Sequence, residues 1–428
     1  LGLKVTLDPQ PFPNPMLAKW FREHDFDVVM SVLSGQPQRM EPDFFTNAQF
    51  NSRSAAPGDF NVGSFSNAAF DDLGAQQLRL YDREARRKIV HELQRIHASE
   101  QPEAIIATTN YIFAINTANA DIPGYEDSPD GPRAPWNMLK MTTKSGAPVK
   151  IGRTIDQTTF NPLAASTGND LDNLGLVYDK LIELGPDGTP RMWLAESIDV
   201  VDPVTINATI RKGHTFSDGK PVTAEDVKFS FDYLKRWEAV FFRKYLEKID
   251  AVEVVDPHTV RFRLKEPFAP FIMNTLGQVL ILPKHIWENL VEQNKLAKPQ
   301  DYRNIPLVGG GAYTLRHFRE GQELHLERRA DHFAKPAADL LIIVFGSGEV
   351  VGAALKKGDI DVSFQPINPA IAKEFGAEKN IRLLGAKSVG YMSMRYNMQR
   401  PVMQNRDLRR ALAHAIPYEA IIADVLGG

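Results

Sequence analysis

Two hydrophobic periods run along this chain, one of about two residues and one of about three and a half, and together they sort it into strands and helices. Residues 1–10, LGLKVTLDPQ, carry apolar side chains at alternating positions and predict a strand. A short helix is expected at 16–24. Residues 25–33 are a nearly continuous apolar run, as carried by a strand buried in an α/β sheet. Residues 34–65 are rich in Pro, Asn, Ser and Gly and predict a long irregular region. Helices are expected at 70–78 and 82–99, the second placing Ile89, Leu93 and Ile96 on one face. Pro102 ends it, and 104–109 and 111–115 read as strands. Residues 121–147 hold Pro123, Gly124, Pro129, Gly131, Pro132, Pro135 and Gly146, which predict a loop or linker and the best candidate boundary.

A strand opens the next stretch at Val149-Lys150-Ile151-Gly152. Further strands are expected at 198–201, 205–211, 249–255 and 259–264, with Asp256-Pro257-His258 turning a hairpin. Helices are expected at 171–183, 224–237, 283–293, 350–357, 407–415 and 418–425. Thr223 and Asp226 are spaced to cap the 224–237 helix. Hairpins mixed with helices argue for α/β lobes and against a sandwich or helical bundle.

Composition narrows the function classes. The 428 residues exceed one small core, so two or three domains are expected. A formal net charge of −3 leaves no electrostatic footprint for nucleic acid. The chain has no cysteine, which removes disulfides, zinc–thiolate sites and thiol catalysis together. No apolar run reaches the roughly 18 residues of a membrane span. The N-terminus lacks a basic start followed by an apolar stretch, so no signal peptide is read in this chain. Both ends read as cuts through a longer chain.

Catalytic and cofactor motifs are weak. His91-Glu92-Leu93-Gln94-Arg95 begins like a zinc-protease helix but lacks the second His one turn on, and reads as a helix surface. Gly346-Ser347-Gly348-Glu349-Val350-Val351-Gly352 follows an apolar strand, but its third glycine falls one residue late for a dinucleotide site; it reads as a strand–helix turn. Neither a G-x-S-x-G elbow nor a Walker A string occurs. The ten histidines are spread along the chain. Phe241, Phe242 and Tyr245, and Trp136, Tyr391 and Tyr396 near strand ends, could supply the wide aromatic contact of a ligand cleft, although core packing accounts for any one of them as well. Neither a cofactor nor a metal is expected.

One segment carries more information. Residues 211–227, RKGHTFSDGKPVTAEDV, closely resemble the signature of the extracellular solute-binding proteins of peptide and nickel ABC transporters, family 5. The likeness extends through Asn161-Pro162-Leu163, Val177-Tyr178-Asp179-Lys180-Leu181, Leu194-Ala195-Glu196, Leu282-Pro283-Lys284-His285, Gly310-Gly311-Ala312-Tyr313, Gly358-Asp359-Ile360-Asp361 and Leu408-Arg409-Arg410-Ala411-Leu412. There Ala415-Ile416-Pro417-Tyr418 departs from the family pattern. Residues 149–428 thus resemble the N-terminal part of such a protein. Residues 1–143 resemble its C-terminal part, at Asp25-Phe26-Asp27, Glu41-Pro42-Asp43-Phe44, Phe65-Ser66-Asn67 and Arg86-Arg87-Lys88, with 144–148 as the junction. The order is inverted and the joining segment is absent, which fits a fusion-junction fragment, a circular permutant or an assembly artefact. Packing of the first segment on the second is expected, as is weak or no solute binding by this chain alone.

The resemblance implies a two-lobe α/β fold of the periplasmic-binding-protein type II, cluster C-like, incomplete and in permuted order. It implies a monomeric, periplasmic or extracellular protein that captures a peptide-like or small polar solute by hinge closure and delivers it to a membrane permease. It places a pocket-lining strand at Asp156, Gln157 and Thr158, an aromatic wall at Phe241, Phe242 and Tyr245, and a polar–aromatic element at Tyr391. Peptide-binding members carry an acid after an aromatic near the position that here reads Ser31-Val32-Leu33-Ser34-Gly35-Gln36. Both are missing, which speaks against a free-amine peptide held in that mode and leaves a neutral or differently oriented ligand, such as a sugar-like, opine-like or capped compound, at least equally open. Competing readings are an α/β hydrolase and a non-transporting solute sensor of the same fold.

Overall fold

The computed structural model of the chain describes residues 4–11, 15–108 and 110–425. It groups into two compact units, one comprising Leu1–Thr109 with Ser388–Gly428 and the other Asn110–Lys387.

The first unit is built on a three-stranded antiparallel sheet. Tyr391–Tyr396 lies in the middle, flanked by Val28–Leu33 and Glu103–Thr108. Helices Ala68–Gln77 and Arg83–Glu100 start at the side-chain caps Asn67 and Asp82, which accept from the backbone N–H groups of Phe70 and Ala85. Leu93, with Ile89 and Ile96 beside it, packs on Phe50, Phe65 and Phe70 as the helical spacing predicts. Residues 34–65 are more ordered than their composition predicts and hold the short helical turns Pro37–Met40, Phe44–Gln49 and Ser52–Ser54. Their polar residues bond to backbone: the buried Asn61 donates to the carbonyls of Asn51 and Phe65 and accepts from the Phe65 N–H. The strand expected at 1–10 is not found over 4–10, while 1–3, Thr109 and 426–428 lie outside the described residues. Val5 and Leu7 are exposed, so that alternation has no sheet face to bury against.

The second unit carries a seven-stranded sheet. Its order is Tyr313–Arg319, Glu323–Arg328, Leu340–Val344, Val149–Arg153, Val362–Ser363, Tyr111–Asn116, Ile381–Ala386. Val149–Arg153 runs parallel to both neighbours, and Val149 and Ile151 are fully buried. Beside it, helix Gly348–Lys357 sets Val351, Ala354 and Leu355 against Ala114, Ile360 and Phe375. Ser347 caps that helix, so the 346–352 glycines make a strand–helix turn. A second, four-stranded antiparallel sheet runs in the order Ile249–Asp256, Thr259–Leu264, Thr205–Ile210, Ala195–Asp202. Helix Ala224–Arg236 opens on the expected capping box, Asp226 accepting from the Thr223 N–H at 2.9 Å.

Three expectations need correction. Residues 121–147 are a folded part of the second unit. Ala120–Asp121 pairs with Thr142–Thr143, and Pro135 opens a short helix, Pro135–Lys140, that buries Trp136, Asn137, Met138 and Leu139. The chain passes between units at 109–110 and 387–388 instead, because Tyr111–Asn116 joins the same sheet as Val149–Arg153. The helix expected at 171–183 spans only Gly168–Val177; Ile182–Leu184 turns back as a strand against Pro190–Met192. The helix expected at 283–293 is two short ones, Lys284–Trp287 and Leu290–Gln293. Strand pairs in the three-stranded and the seven-stranded sheets join residues before 143 to residues after 149.

Candidate functional site

Ligands of open α/β sheets collect beyond the carboxyl ends of the parallel strands. In the second unit that edge is where Val149–Arg153 leaves the sheet. Gly152 lets the strand approach its cover closely, since a Cβ there would lie 2.4 Å from Ile360 Cδ1. The next side chain is Arg153, and the chain then enters the loop that bears Asp156, Gln157 and Thr158.

That loop is pinned by its own polar groups. Asp156 accepts from the N–H groups of Gln157 (2.8 Å) and Gly321 (2.6 Å), and its carbonyl accepts from Asn169 Nδ2 (2.7 Å). Asp170 accepts from the N–H (2.7 Å) and hydroxyl (2.5 Å) of Thr158 and from the hydroxyl of Thr167 (2.8 Å). Thr167 in turn caps helix Gly168–Val177. Thr154 reaches Gln365, just past the end of Val362–Ser363, at 2.8 Å. Gln157 is buried and donates to the Thr159 carbonyl at 2.6 Å. Thr158 is exposed and Asp156 half-buried.

Arg153 is buried within this frame. Its Nη1 donates to Asn169 Oδ1 at 2.7 Å. Burial pulls the guanidinium down to about 10, against the opposing charges of Asp156, Asp172 and Asp170. Asp172 shares the neighbourhood with Asp130, which lies 3.8 Å from Arg133. Protein surrounds Asp130 closely enough that desolvation raises its carboxyl to about 7, with Arg133 opposing and Asp172 adding to the shift, although 28% of the side chain stays open to solvent. Desolvation raises Asp172 and Glu183 as well.

Phe241, Phe242 and Tyr245 come together at the short helix Arg243–Leu246. Phe241 lies 5.3 Å from Phe242 and 5.4 Å from Tyr245, centroid to centroid, with Lys244 Nζ 4.8 Å from the Tyr245 ring. Phe242 is wholly buried and Tyr245 nearly so; Phe241 is the half-buried member. Tyr391 belongs to the first unit, on the middle strand. Its buried hydroxyl lies 2.7 Å from Glu103 Oε1 and 3.0 Å from Gln49 Oε1, and Glu103 pairs with Arg395 at 3.2 Å. Trp136 and Tyr396 are both buried, Trp136 beneath the Arg191 guanidinium.

A second polar centre lies outside the residues singled out from sequence. Asp179, His214 and His332 are buried together, and among the described residues they form the one group of His and carboxylate atoms close enough to surround a cation. Asp179 Oδ2 lies 2.7 Å from His214 Nε2; Oδ1 accepts from Trp193 Nε1 at 2.8 Å and faces His332 Nε2 at 3.2 Å. Burial alone would push this carboxyl up; the hydrogen bonds from His214 and His332 outweigh it and hold Asp179 below the usual carboxylate range. His332 Nδ1 accepts from the Ala334 N–H at 3.1 Å, so its proton sits on Nε2, facing Asp179. A cation at this point would have to displace that proton, so the donor set fits an internal hydrogen-bonded cluster. The sequence signal was faint. Asp179 sits in an apolar run, His214 in a turn and His332 more than a hundred residues further on.

The family model described as "Bacterial extracellular solute-binding proteins, family 5 Middle" matches residues 189–428, more than half of the chain. The oligopeptide-binding protein AppA of Bacillus subtilis is 27% identical over 295 residues, covering 67% of this chain and 52% of that protein. Among solved structures, NikZ from Campylobacter jejuni, in complex with Ni(L-His), superposes with a TM-score of 0.51 at 21% identity, covering 65% of this chain and 55% of that one, and shares its fold. The chain spans about half the length of the curated relatives it matches. With residues 189–428 matched and an α/β fold of the periplasmic-binding-protein type, the chain belongs to the bacterial extracellular solute-binding proteins, family 5.

Proposed function

We propose that this chain is the substrate-binding component of an ABC importer. It acts as a monomer in the periplasm or outside the cell, takes up a peptide-like or other small polar solute, and presents it to a membrane permease without altering a covalent bond. Family membership over residues 189–428 carries this reading. The naming of AppA as an oligopeptide-binding protein supports the ligand class. The carboxyl edge of Val149–Arg153 supports it too: amides, carboxylates and a guanidinium gather there, the equipment of hydrogen-bonded recognition. No helix among the described residues is long and apolar enough to cross a membrane, which agrees with action beside a separate permease.

In this reading Asp156, Gln157, Thr158 and Phe241 meet the solute. Phe242 and Tyr245 support Phe241 from behind, and Tyr391 holds its own sheet through Glu103. Thermal-shift screening of the 428-residue chain with millimolar tripeptides, N-acetylated tripeptides and oligosaccharides tests it. One class should raise the melting temperature, and Gln157→Ala should abolish the rise. A flat response to every class would overturn the capture reading.

A further inference from the structure

Four arginines are buried among the described residues, and three of them face a carboxylate or several backbone carbonyls. Arg329 donates to the carbonyls of Gly310 and Thr215, each at 2.9 Å, and to Asp331 at 2.8 Å. Arg409 donates to the carbonyls of Glu100, Gln101, Met403 and Gln404. Arg395 lies 3.2 Å from the carboxylate of Glu103. Arg153 differs. It is only 6% exposed, its Nε, like that of Arg395, has no hydrogen-bond partner, its one hydrogen bond goes to the neutral Asn169, and no carboxylate among the described residues lies within salt-bridge distance of it. Buried arginine is rare unless paired, because desolvating an uncompensated charge costs several kcal/mol.

The amides around it do not resolve the deficit. With its oxygen toward Arg153, Asn173 accepts from Nη1 at 2.9 Å and Nη2 at 3.2 Å, but that oxygen then meets Gln157 Oε1 at 2.5 Å. With its nitrogen there, Asn173 donates to Gln157 and confronts the guanidinium. Turning Gln157 as well would set its oxygen against the Thr159 carbonyl, 2.6 Å from its present nitrogen. No assignment of the two amides satisfies every group, so this polar cluster lacks an acceptor. It lies at the end of the central parallel strand, where solute binding is proposed above.

We propose that Arg153 anchors an anionic group of the captured solute, a carboxylate, with Asn169, Asn173 and Gln157 orienting the guanidinium. The proposal rests on the solute-capture reading. The nearby acids do not take that place themselves. Asp170 is turned to Thr158 and Thr167, Asp156 accepts from two backbone N–H groups, and neither lies within salt-bridge distance of Arg153. Desolvation moves Asp172 and Asp130 toward their neutral forms, which weakens their opposition to an incoming anion.

The test uses acetate as probe, acetamide as its neutral isostere and chloride at matched ionic strength, with melting temperature as readout. Acetate near tenfold its dissociation constant should raise the melting temperature of the wild-type chain by about 3 °C over both controls. Arg153→Met should abolish that difference. Without ligand, the same variant should melt no lower than wild type and up to about 3 °C higher, since an apolar side chain replaces a buried guanidinium that has no carboxylate in contact with it. Arg153→Lys, which keeps the charge and loses the planar fork, should keep less than half of the acetate effect. Equal responses to acetate and acetamide, or an acetate effect that survives in Arg153→Met, would overturn the proposal. So would an unliganded Arg153→Met chain that unfolds or melts well below wild type, which would make Arg153 a structural residue. Absence of an acetate effect in the wild-type chain, alongside intact solute binding there, sinks the Arg153 assignment alone. An acetate effect without binding in the solute screen sinks the capture reading instead.

Discussion

Replacing Asp179 by Asn separates the charge of the buried Asp179–His214–His332 cluster from its shape. The carboxylate faces three side-chain nitrogens, those of His214 (2.7 Å), Trp193 (2.8 Å) and His332 (3.2 Å). An amide keeps one acceptor and gains a donor. Trp193 can only donate, and His332 holds its proton on Nε2 because Nδ1 accepts from the Ala334 N–H. The amide oxygen must therefore stay on their side, which points the new NH₂ at His214. His214 can move its proton to Nδ1 and accept. The geometry survives, and what is lost is the charge assistance of the set, about 2 kcal/mol. Asp179→Leu offers no acceptor, strands all three donors, and should cost roughly 4 kcal/mol.

The pH dependence follows from the sign of the shift. The folded-state pKa of Asp179 is depressed, so its contribution is fully present above the unfolded value, near 4, and is lost as pH falls through the folded value. The difference between wild type and Asp179→Asn should be widest above about pH 5 and close as the solution is acidified. Urea denaturation at a series of pH values reads both quantities. An Asn variant as stable as wild type at neutral pH, or a difference that stays constant into the acid range, would refute the argument.

Two further outcomes are expected. Gly152→Ala drives a methyl to 2.4 Å from Ile360 Cδ1 and should cost about 2 kcal/mol by thermal denaturation, with Ile360→Val in the same chain recovering part of the loss. Tyr391→Phe removes the hydroxyl 2.7 Å from the buried Glu103 and should cost about 2 kcal/mol in urea; a loss under about 0.5 kcal/mol would show the hydroxyl to be dispensable.

Periodicity made the elements legible where each buries one continuous face. Ile89, Leu93 and Ile96 marked their helix, and the run through Val149 and Ile151 marked the central strand, because burial on that scale leaves a repeating trace. Glycine and proline misled at 121–147, since the same residues that mark a linker also make the turns of a packed segment, as Pro135 does at its helix start. Family likeness implied a pocket-lining strand at Asp156–Thr158; the segment is instead a loop, because the strand ends at Arg153 and the polar side chains that follow bond to the neighbouring backbone. Arg153 escaped notice because a lone arginine after an apolar strand looks like a solvated strand end; only its burial with too few acceptors sets it apart. The Asp179 cluster was invisible for a different reason. It joins side chains separated by 35 and 153 positions, and pairing at that range leaves no local pattern.

The middle strand of the first unit's sheet is made last. Tyr391–Tyr396 must slip between Val28–Leu33 and Glu103–Thr108, which leave the ribosome some three hundred residues earlier. Until it arrives, both waiting strands present open edges to anything that can pair with them. Translation therefore imposes a long interval of vulnerability on the first unit, while the contiguous stretch 110–387 can complete itself first. A nascent chain halted before residue 391 should be captured by strand-binding chaperones or lost to aggregation.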